Sequence, residues 1–197
     1  MHEAVRHHLL RTAKAVGYDK THLTRAVAYR EIDRWLEEIG GDRLDALEIS
    51  AGWKWRERDW HSYSEMNWPD HDICDGPLDR QFDVIIADNV WEHLPYPMRA
   101  ARHVGEMLRP GGWFVNITPF MIRRHDVPLD CSRWTEMGMR YFLEEAGFDP
   151  ERISTGSWGN AAAVKANLVR WSRVGWRRNF ANDSRFPLTV WAIAQKA

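Results

Sequence analysis

Apolar positions recur along the chain with two periods, and their alternation sets the expected architecture. From Thr21 to Ile39 the residues Leu23, Val27, Ala28, Ile32, Trp35, Leu36 and Ile39 fall at helical spacing, and Gly40-Gly41 follows as a stop, which predicts an amphipathic helix. Leu44 to Ile49 and Phe82 to Ala87 are instead short continuous apolar runs, the pattern of strands buried on both faces of a parallel sheet. Pro97 to Leu108 returns to the helical period through Ala101, Val104, Met107 and Leu108 and ends at Pro110-Gly111-Gly112, before a further strand from Trp113 to Thr118. A helix is predicted over Thr135 to Ala146, with Thr135 as N-cap and Gly147 as its stop. Two more strand candidates, Arg152 to Trp158 and Leu188 to Ala194, flank a helical stretch from Ala161 to Trp171 and a loop rich in Trp and Arg. Strands alternating with helices predict one open α/β sheet with right-handed crossovers. Such sheets bind ligands beyond the carboxyl ends of their strands, here just after Ile49, Met66, Ala87 and Ile117.

Composition narrows the class. With 44% apolar and 28% charged residues and a net charge of -1, the chain can build a sizeable core and has no polycationic or acidic tail. Its longest uncharged stretch, Pro110 to Ile122, holds two glycines and two prolines and is shorter than the ~20 apolar residues of a spanning helix, so no membrane partner is expected. Met1 to His8 lacks the apolar core of a signal peptide. Cys74 and Cys131 form neither a CxxC pair nor a four-cysteine zinc set. A cytoplasmic protein with buried free thiols is therefore expected. The 12 Trp exceed what a minimal core needs and suggest that some line a cleft.

The strand ends carry small and polar residues. Leu47-Glu48-Ile49-Ser50-Ala51-Gly52, Phe82-Asp83-Val84-Ile85-Ile86, Val90-Trp91-Glu92-His93-Leu94 and Leu108-Arg109-Pro110-Gly111-Gly112-Trp113 occur in the order and approximate spacing of class I S-adenosylmethionine-dependent methyltransferases. The stretch from Thr21 to Phe148 resembles that family, in its small-molecule, type 11-like branch. The resemblance implies an α/β fold: a three-layer, Rossmann-like, seven-stranded, mostly parallel sheet with an antiparallel last strand and helices on both faces. It implies one domain over residues 1–197, with N-terminal helices over 1–40, a cofactor-binding core over 42–150, and a C-terminal strand pair with a Trp/Arg-rich insertion over 151–197.

The resemblance also implies an enzyme that uses S-adenosylmethionine, and it distributes roles. Ser50, Ala51, Gly52 and Trp53 would pass under the methionine part, with Glu48 fixing the amino group directly or through water. Asn67 falls where the family has an acid that grips the ribose. Asp72 and Ile73 would meet the adenine, and Asp88, Asn89 and Val90 would line the methionine and sulfonium side. Ser50 and Lys54 replace glycines of the usual loop, and Asn67 replaces a carboxylate, losing charge-assisted bonds. Glu65, on the same strand face by period two, is the less favoured substitute. The short spacers after Gly52 and Asn67 leave room for only a short first helix and essentially no second one, so the adenine side is expected to be trimmed and open.

Methyl transfer is an in-line displacement, so the protein mainly aligns the acceptor and excludes water. A hydroxyl or protonated amine also needs a base, and His suits that task. The candidates are His93, and His125 with Asp126, although neighbours on an extended chain point apart and a structural role for His93 is the competing reading. No HxH or HxxxH spacing supports a metal, and none is expected. The loop around Arg123-Arg124-His125-Asp126 and Arg133-Trp134 is long for a connection and is the expected acceptor site. Arg123 and Arg124 would suit an anionic acceptor.

Lys165 to Arg185 interleaves Lys165, Arg170, Arg173, Arg177, Arg178 and Arg185 with Trp171, Trp176 and Phe180. With the chain near neutral, at pI ≈ 6.8, a solvated face or a homo-oligomer contact is favoured over nucleic acid. The expected activity is methyl transfer to O or N of a small molecule, such as a sugar or a natural-product intermediate. The rivals are a binding or regulatory module that retains the fold and an RNA methyltransferase. A nicotinamide oxidoreductase is opposed by the missing G-x-G-x-x-G turn.

Overall fold

The structure, a computed structural model, describes residues 18–175 and 180–197. The expected helices before Tyr18, and Trp176, Arg177 and Arg178 of the basic segment, lie outside the described residues. In chain order the elements are β1 (Asp19–His22), α1 (Leu23–Glu38), β2 (Asp45–Ile49), β3 (Ser62–Met66), β4 (Phe82–Asp88), α2 (Pro97–Met107), β5 (Leu108–Pro119), α3 (Glu136–Glu145), β6 (Phe148–Trp158), α4 (Ala161–Val169), β7 (Arg173–Gly175) and β8 (Thr189–Lys196). Short 3-10 turns occupy Gly41–Arg43 and Trp91–His93.

Six strands form the main sheet in the order β3-β2-β4-β5-β8-β6. β3, β2, β4 and β5 run parallel, and β8 lies antiparallel between β5 and β6. This is the mostly parallel sheet with a reversed last strand that the sequence suggests, with one strand fewer than seven among the described residues. The difference falls beyond β3, where residues 67–81 hold turns only and β3 is left as the edge. Residues 50–61 likewise hold no helix.

Alternation along the strands sends side chains to two cores. Leu47, Ile49, Ile85, Ala87 and Phe114 pack with Ala100, Ala101, Val104 and Met107 of α2 and with Met139 and Leu143 of α3. Ala46, Val84, Ile86, Val115 and Ile117 pack with Ala28, Tyr29, Ile32 and Leu36 of α1. α1 stops at Gly40, whose φ of 72° an L side chain rarely adopts. Thr135 caps α3 by accepting the Gly138 N–H at 3.0 Å. Trp91 is fully buried against Phe114, and Trp35 meets Trp113 edge-on, so these indoles build the core. Cys74 is buried, but Cys131 is exposed, because its loop crosses the surface and is held by its N–H to the Glu92 carbonyl at 2.7 Å.

The predicted helix from Thr21 begins two residues late, because Thr21 and His22 belong to β1. β1 pairs antiparallel with β7, Asp19 opposite Gly175 and His22 opposite Arg173. This ribbon brings the C-terminal insertion back over the start of α1, above a third cluster of Leu23, Ala26, Trp158, Ala163, Val174 and Leu188. Among the described residues no helix is long and apolar enough to cross a membrane.

Candidate active site

The chain leaves β2 toward β3 on one side and returns through β4 on the other, so a crevice opens between the carboxyl ends of β2 and β4. The residue after each strand takes a left-handed backbone, Ser50 and Asn89 both at φ 54°, a conformation that costs non-glycine residues energy and clusters at functional sites. Ser50 N–H still reaches the Met66 carbonyl and Asn89 N–H the Ile117 carbonyl, each at 2.8 Å. Each strand is thereby extended by one pairing and then turned sharply.

A cavity of ≈ 880 Å³ fills this crevice, within the size range of cofactor sites. Glu48, Ser50, Gly52, Trp53 and Asp88 line it, as the sequence led us to expect, together with Tyr18 to His22 of the ribbon, Arg25, Tyr29, Glu57 and Arg173. Glu48 is 1% exposed; it accepts from Gly52 N–H at 2.7 Å and from the Tyr63 hydroxyl. Burial pushes the Glu48 carboxyl up, opposed by those two hydrogen bonds and reinforced by Asp88. Asp88 accepts from Arg25 Nε at 2.9 Å and Asn89 Nδ2 at 3.0 Å, and from the Tyr29 hydroxyl. Burial alone would lower Arg25, but Asp88 holds its guanidinium above the ordinary value. Burial drives the Tyr29 hydroxyl far up, and Asp88 adds to it.

The remaining cofactor candidates have local partners. Asn67 Oδ1 accepts from Ala51 N–H at 2.8 Å, tying β3 to the loop. Asp72 Oδ1 accepts from Cys74 N–H at 2.8 Å, and Ile73 is buried in the core with its carbonyl bonded to His103. Val90 is buried in the same core, and none of Asn67, Asp72, Ile73 and Val90 lines the large cavity. Lys54, in a glycine's place, bonds Asp33 of α1 at 2.6 Å. Glu65 pairs with Arg56.

Beside the large cavity, and sharing His22 and Arg25 with it, lies a smaller one of ≈ 220 Å³ lined also by Thr24, Asn89, Glu92, His93, Pro119, His125 and Trp171. His93 and His125 meet here, their ring centroids 4.6 Å apart and nearly perpendicular. Asp126 does not join them. It pairs with Arg124 at 2.7 Å on the exposed face of the loop, since neighbours on an extended segment point apart. The acid beside both imidazoles is Glu92, fully buried, with Oε1 3.7 Å from His93 Nε2 and 3.8 Å from His125 Nε2. In the sequence Glu92 stands only as part of the Val90–Leu94 motif, with Asp126 in its place as the candidate acid. Residues 120–135 form the loop beside this cluster. Arg123 stacks on Trp171 at 4.5 Å and donates to the Asn167 carbonyl, and neither Arg123 nor Arg124 lines either of these two cavities. The cations that line the large cavity are Lys20, Arg25 and Arg173.

The sequence model of a family described as a methyltransferase domain matches residues 30–114. No curated protein gives a sequence match. Among solved structures, an S-adenosylmethionine-dependent methyltransferase from Mesorhizobium loti superposes with a TM-score of 0.56 at 16% identity, covering 88% of this chain and 98% of that one. A counterpart from Archaeoglobus fulgidus gives 0.55 at 14% identity over 87% and 94%. The magnesium protoporphyrin IX methyltransferase of Synechocystis PCC 6803, solved with bound S-adenosylhomocysteine, gives 0.52 at 12% identity over 89% and 84%. At these identities the superpositions speak to the fold.

Proposed function

We propose that this chain is a class I S-adenosylmethionine-dependent methyltransferase that transfers the cofactor's methyl group to O or N of a small-molecule acceptor, with a sugar or natural-product intermediate as the class to screen first; the matching methyltransferase-domain model and the shared fold support the first part. S-adenosylmethionine supplies an electrophilic methyl carbon on a sulfonium. The observation that carries the reading is a large cavity lined by Glu48, Asp88, Arg25 and Arg173 that shares a wall with a small one lined by His93 and His125.

A zwitterionic amino-acid group needs both signs of charge within reach, and the large cavity offers them: two carboxylates for an ammonium, two guanidinium groups for a carboxylate. Ser50, Ala51 and Gly52 hold the backbone on which that group lies. Trp53, 59% exposed beside the opening, offers a face for a stacked ring. Asn67 contributes by fixing Ala51, and Asp72 by shaping the turn before Ile73. Asn89 lines the smaller cavity, and Val90 packs in the core. The acceptor enters under the loop of residues 120–135 and presents its nucleophile to the His93 and His125 side, where its proton must leave. The Trp-lined floor suits a ring-bearing acceptor, and Arg173 suits an anionic one.

Titration calorimetry with S-adenosylhomocysteine tests the cofactor half. Micromolar binding is expected, weakened at least about tenfold in Asp88→Asn by loss of a charged partner. No heat up to millimolar ligand would sink the reading. A panel of saccharides, phenols and amines, read by formation of S-adenosylhomocysteine, tests the acceptor half, and turnover on RNA alone would move the activity to that class.

A further inference from the structure

The Glu92 carboxylate is fully buried, lines the smaller cavity, and among the described residues has no hydrogen-bond partner at either oxygen. Buried carboxylates are ordinarily paired or coordinated. Arg25 lines the same cavity, but its Nε is bound to Asp88. The nearest nitrogens, His93 Nε2 and His125 Nε2, stand beyond hydrogen-bond distance of Oε1, at 3.7 and 3.8 Å. The Nδ1 of His93 is engaged by the Leu129 carbonyl, which can only accept. Nδ1 therefore carries the hydrogen, and in the neutral ring Nε2 presents a lone pair. A lone pair and a carboxylate oxygen thus face each other with nothing between them to donate. Asn89 Oδ1, also without a partner, lines the same cavity.

We propose that Glu92, His93 and His125 bind a divalent transition-metal ion. Their ligand atoms lie within 4.8 Å of one another. Bonds of ~2.0–2.2 Å place ligand atoms about 3.0–3.6 Å apart around an ion, so the two carboxylate–imidazole separations are nearly met and side-chain rotations that bring the widest pair closer by about 1–2 Å close the set. Two imidazoles and one carboxylate suit Zn²⁺, Fe²⁺, Co²⁺ or Mn²⁺ rather than Mg²⁺ or Ca²⁺, which prefer oxygen. The Leu129 carbonyl fixes the His93 tautomer from outside, as outer partners of metal-bound imidazoles do. Cys131 and Ser132 N–H groups, at 2.7 and 3.3 Å from the Glu92 carbonyl, hold the loop over the cluster. Three protein ligands leave open positions for an oxygen of the acceptor. That last step rests on the methyl-transfer reading; the binding of the ion does not.

Co²⁺ titrated into the metal-stripped protein, followed by visible ligand-field absorption and by calorimetry, tests the site. One saturable ion per chain is expected, with affinity reduced at least ~100-fold in His125→Ala and in Glu92→Gln and unchanged in His61→Ala, an exposed histidine elsewhere. Absence of a saturable band, or a band undiminished in both cluster variants, overturns the proposal. Should His125→Ala unfold by circular dichroism, His93→Gln is read in its place by the same criterion. S-adenosylhomocysteine is titrated separately into the wild type. Binding of that ligand without binding of Co²⁺ rejects the metal site and leaves methyl transfer standing, and the opposite pair of results does the reverse.

Discussion

The two cavities share Arg25 and His22 and differ in how far their polar groups are satisfied. In the larger, Glu48 and Asp88 have partners at both oxygens, drawn from the loop, from β3 and from α1. In the smaller, Glu92 has none and Asn89 Oδ1 has none. The first arrangement is complete without a ligand: its charges are held in place in advance, which lowers the ordering cost of binding. The second is incomplete, and its stability and its function pull in opposite directions. The same carboxylate chemistry thus serves a rigid receptor on one side of Arg25 and an unfilled donor set on the other.

Replacing each acid by leucine breaks the comparison most sharply. Glu48→Leu strips acceptors from the Gly52 N–H and the half-buried Tyr63 hydroxyl, and a loss of about 1–3 kcal/mol is expected. Glu92→Leu removes a buried carboxylate that no hydrogen bond satisfies among the described residues and is expected to be neutral or to gain about 1–3 kcal/mol in chelated buffer. Urea melts of the three proteins decide it, and a destabilised Glu92→Leu would show that the carboxylate is already compensated.

A smaller effect concerns the protonation of Glu48. Burial raises its folded-state pKa above the unfolded value, with Asp88 contributing. The native state therefore binds more protons across that window, and stability falls as pH rises. Glu48's contribution is full below its unfolded pKa and is lost as pH rises through the raised folded pKa. Relative to Glu48→Gln, the wild type is expected to be most favoured in acid and to lose part of that advantage by neutral pH. Paired melts across this range that run parallel would refute it.

The large cavity was legible in sequence because its acids and small residues sit directly after strands whose apolar runs mark where they end. Glu48, Ser50, Gly52, Trp53 and Asp88 were placed that way. Arg25 and Tyr29 were not, because helical periodicity says which side of α1 faces the sheet and not which strand end it meets. β1 and β7 are only four and three residues long, without alternation, and they pair across most of the chain. A motif also gives the place of a residue and not the direction of its side chain, which is why Asn67 and Asp72 turned to nearby N–H groups. Glu92 was hidden by a 3-10 turn that puts adjacent Glu and His beside one cavity, and by the loop that returns His125 to them. The glycines missing from the first loop have a physical counterpart. Glu48, Asn67 and Lys54 staple it to its surroundings, so rigidity stands where the family pattern has flexibility.

Two exposed positions test how local the comparison is. Trp53→Ala is expected to leave stability within about 0.5 kcal/mol while weakening S-adenosylhomocysteine about 3- to 10-fold, the worth of one aromatic contact. Unchanged calorimetric affinity would remove Trp53 from the cofactor site.

The smallest effect separates two sources of positive charge at the acceptor side. Among the described residues Arg124 pairs only with Asp126, with 78% and 53% of their side chains exposed; such pairs contribute little. Arg124→Glu should therefore change stability by no more than about 0.5 kcal/mol and leave the acceptor KM within about twofold. Arg173, on the cavity wall, is where an anionic acceptor should register charge, and Arg173→Gln should raise KM for an anionic member of the acceptor panel more than for its neutral analogue. Selective KM loss in Arg124→Glu, with Arg173→Gln silent, would place the acceptor on the outer face of the loop instead of beneath it, and the small cavity would then have to accept something other than the methyl acceptor.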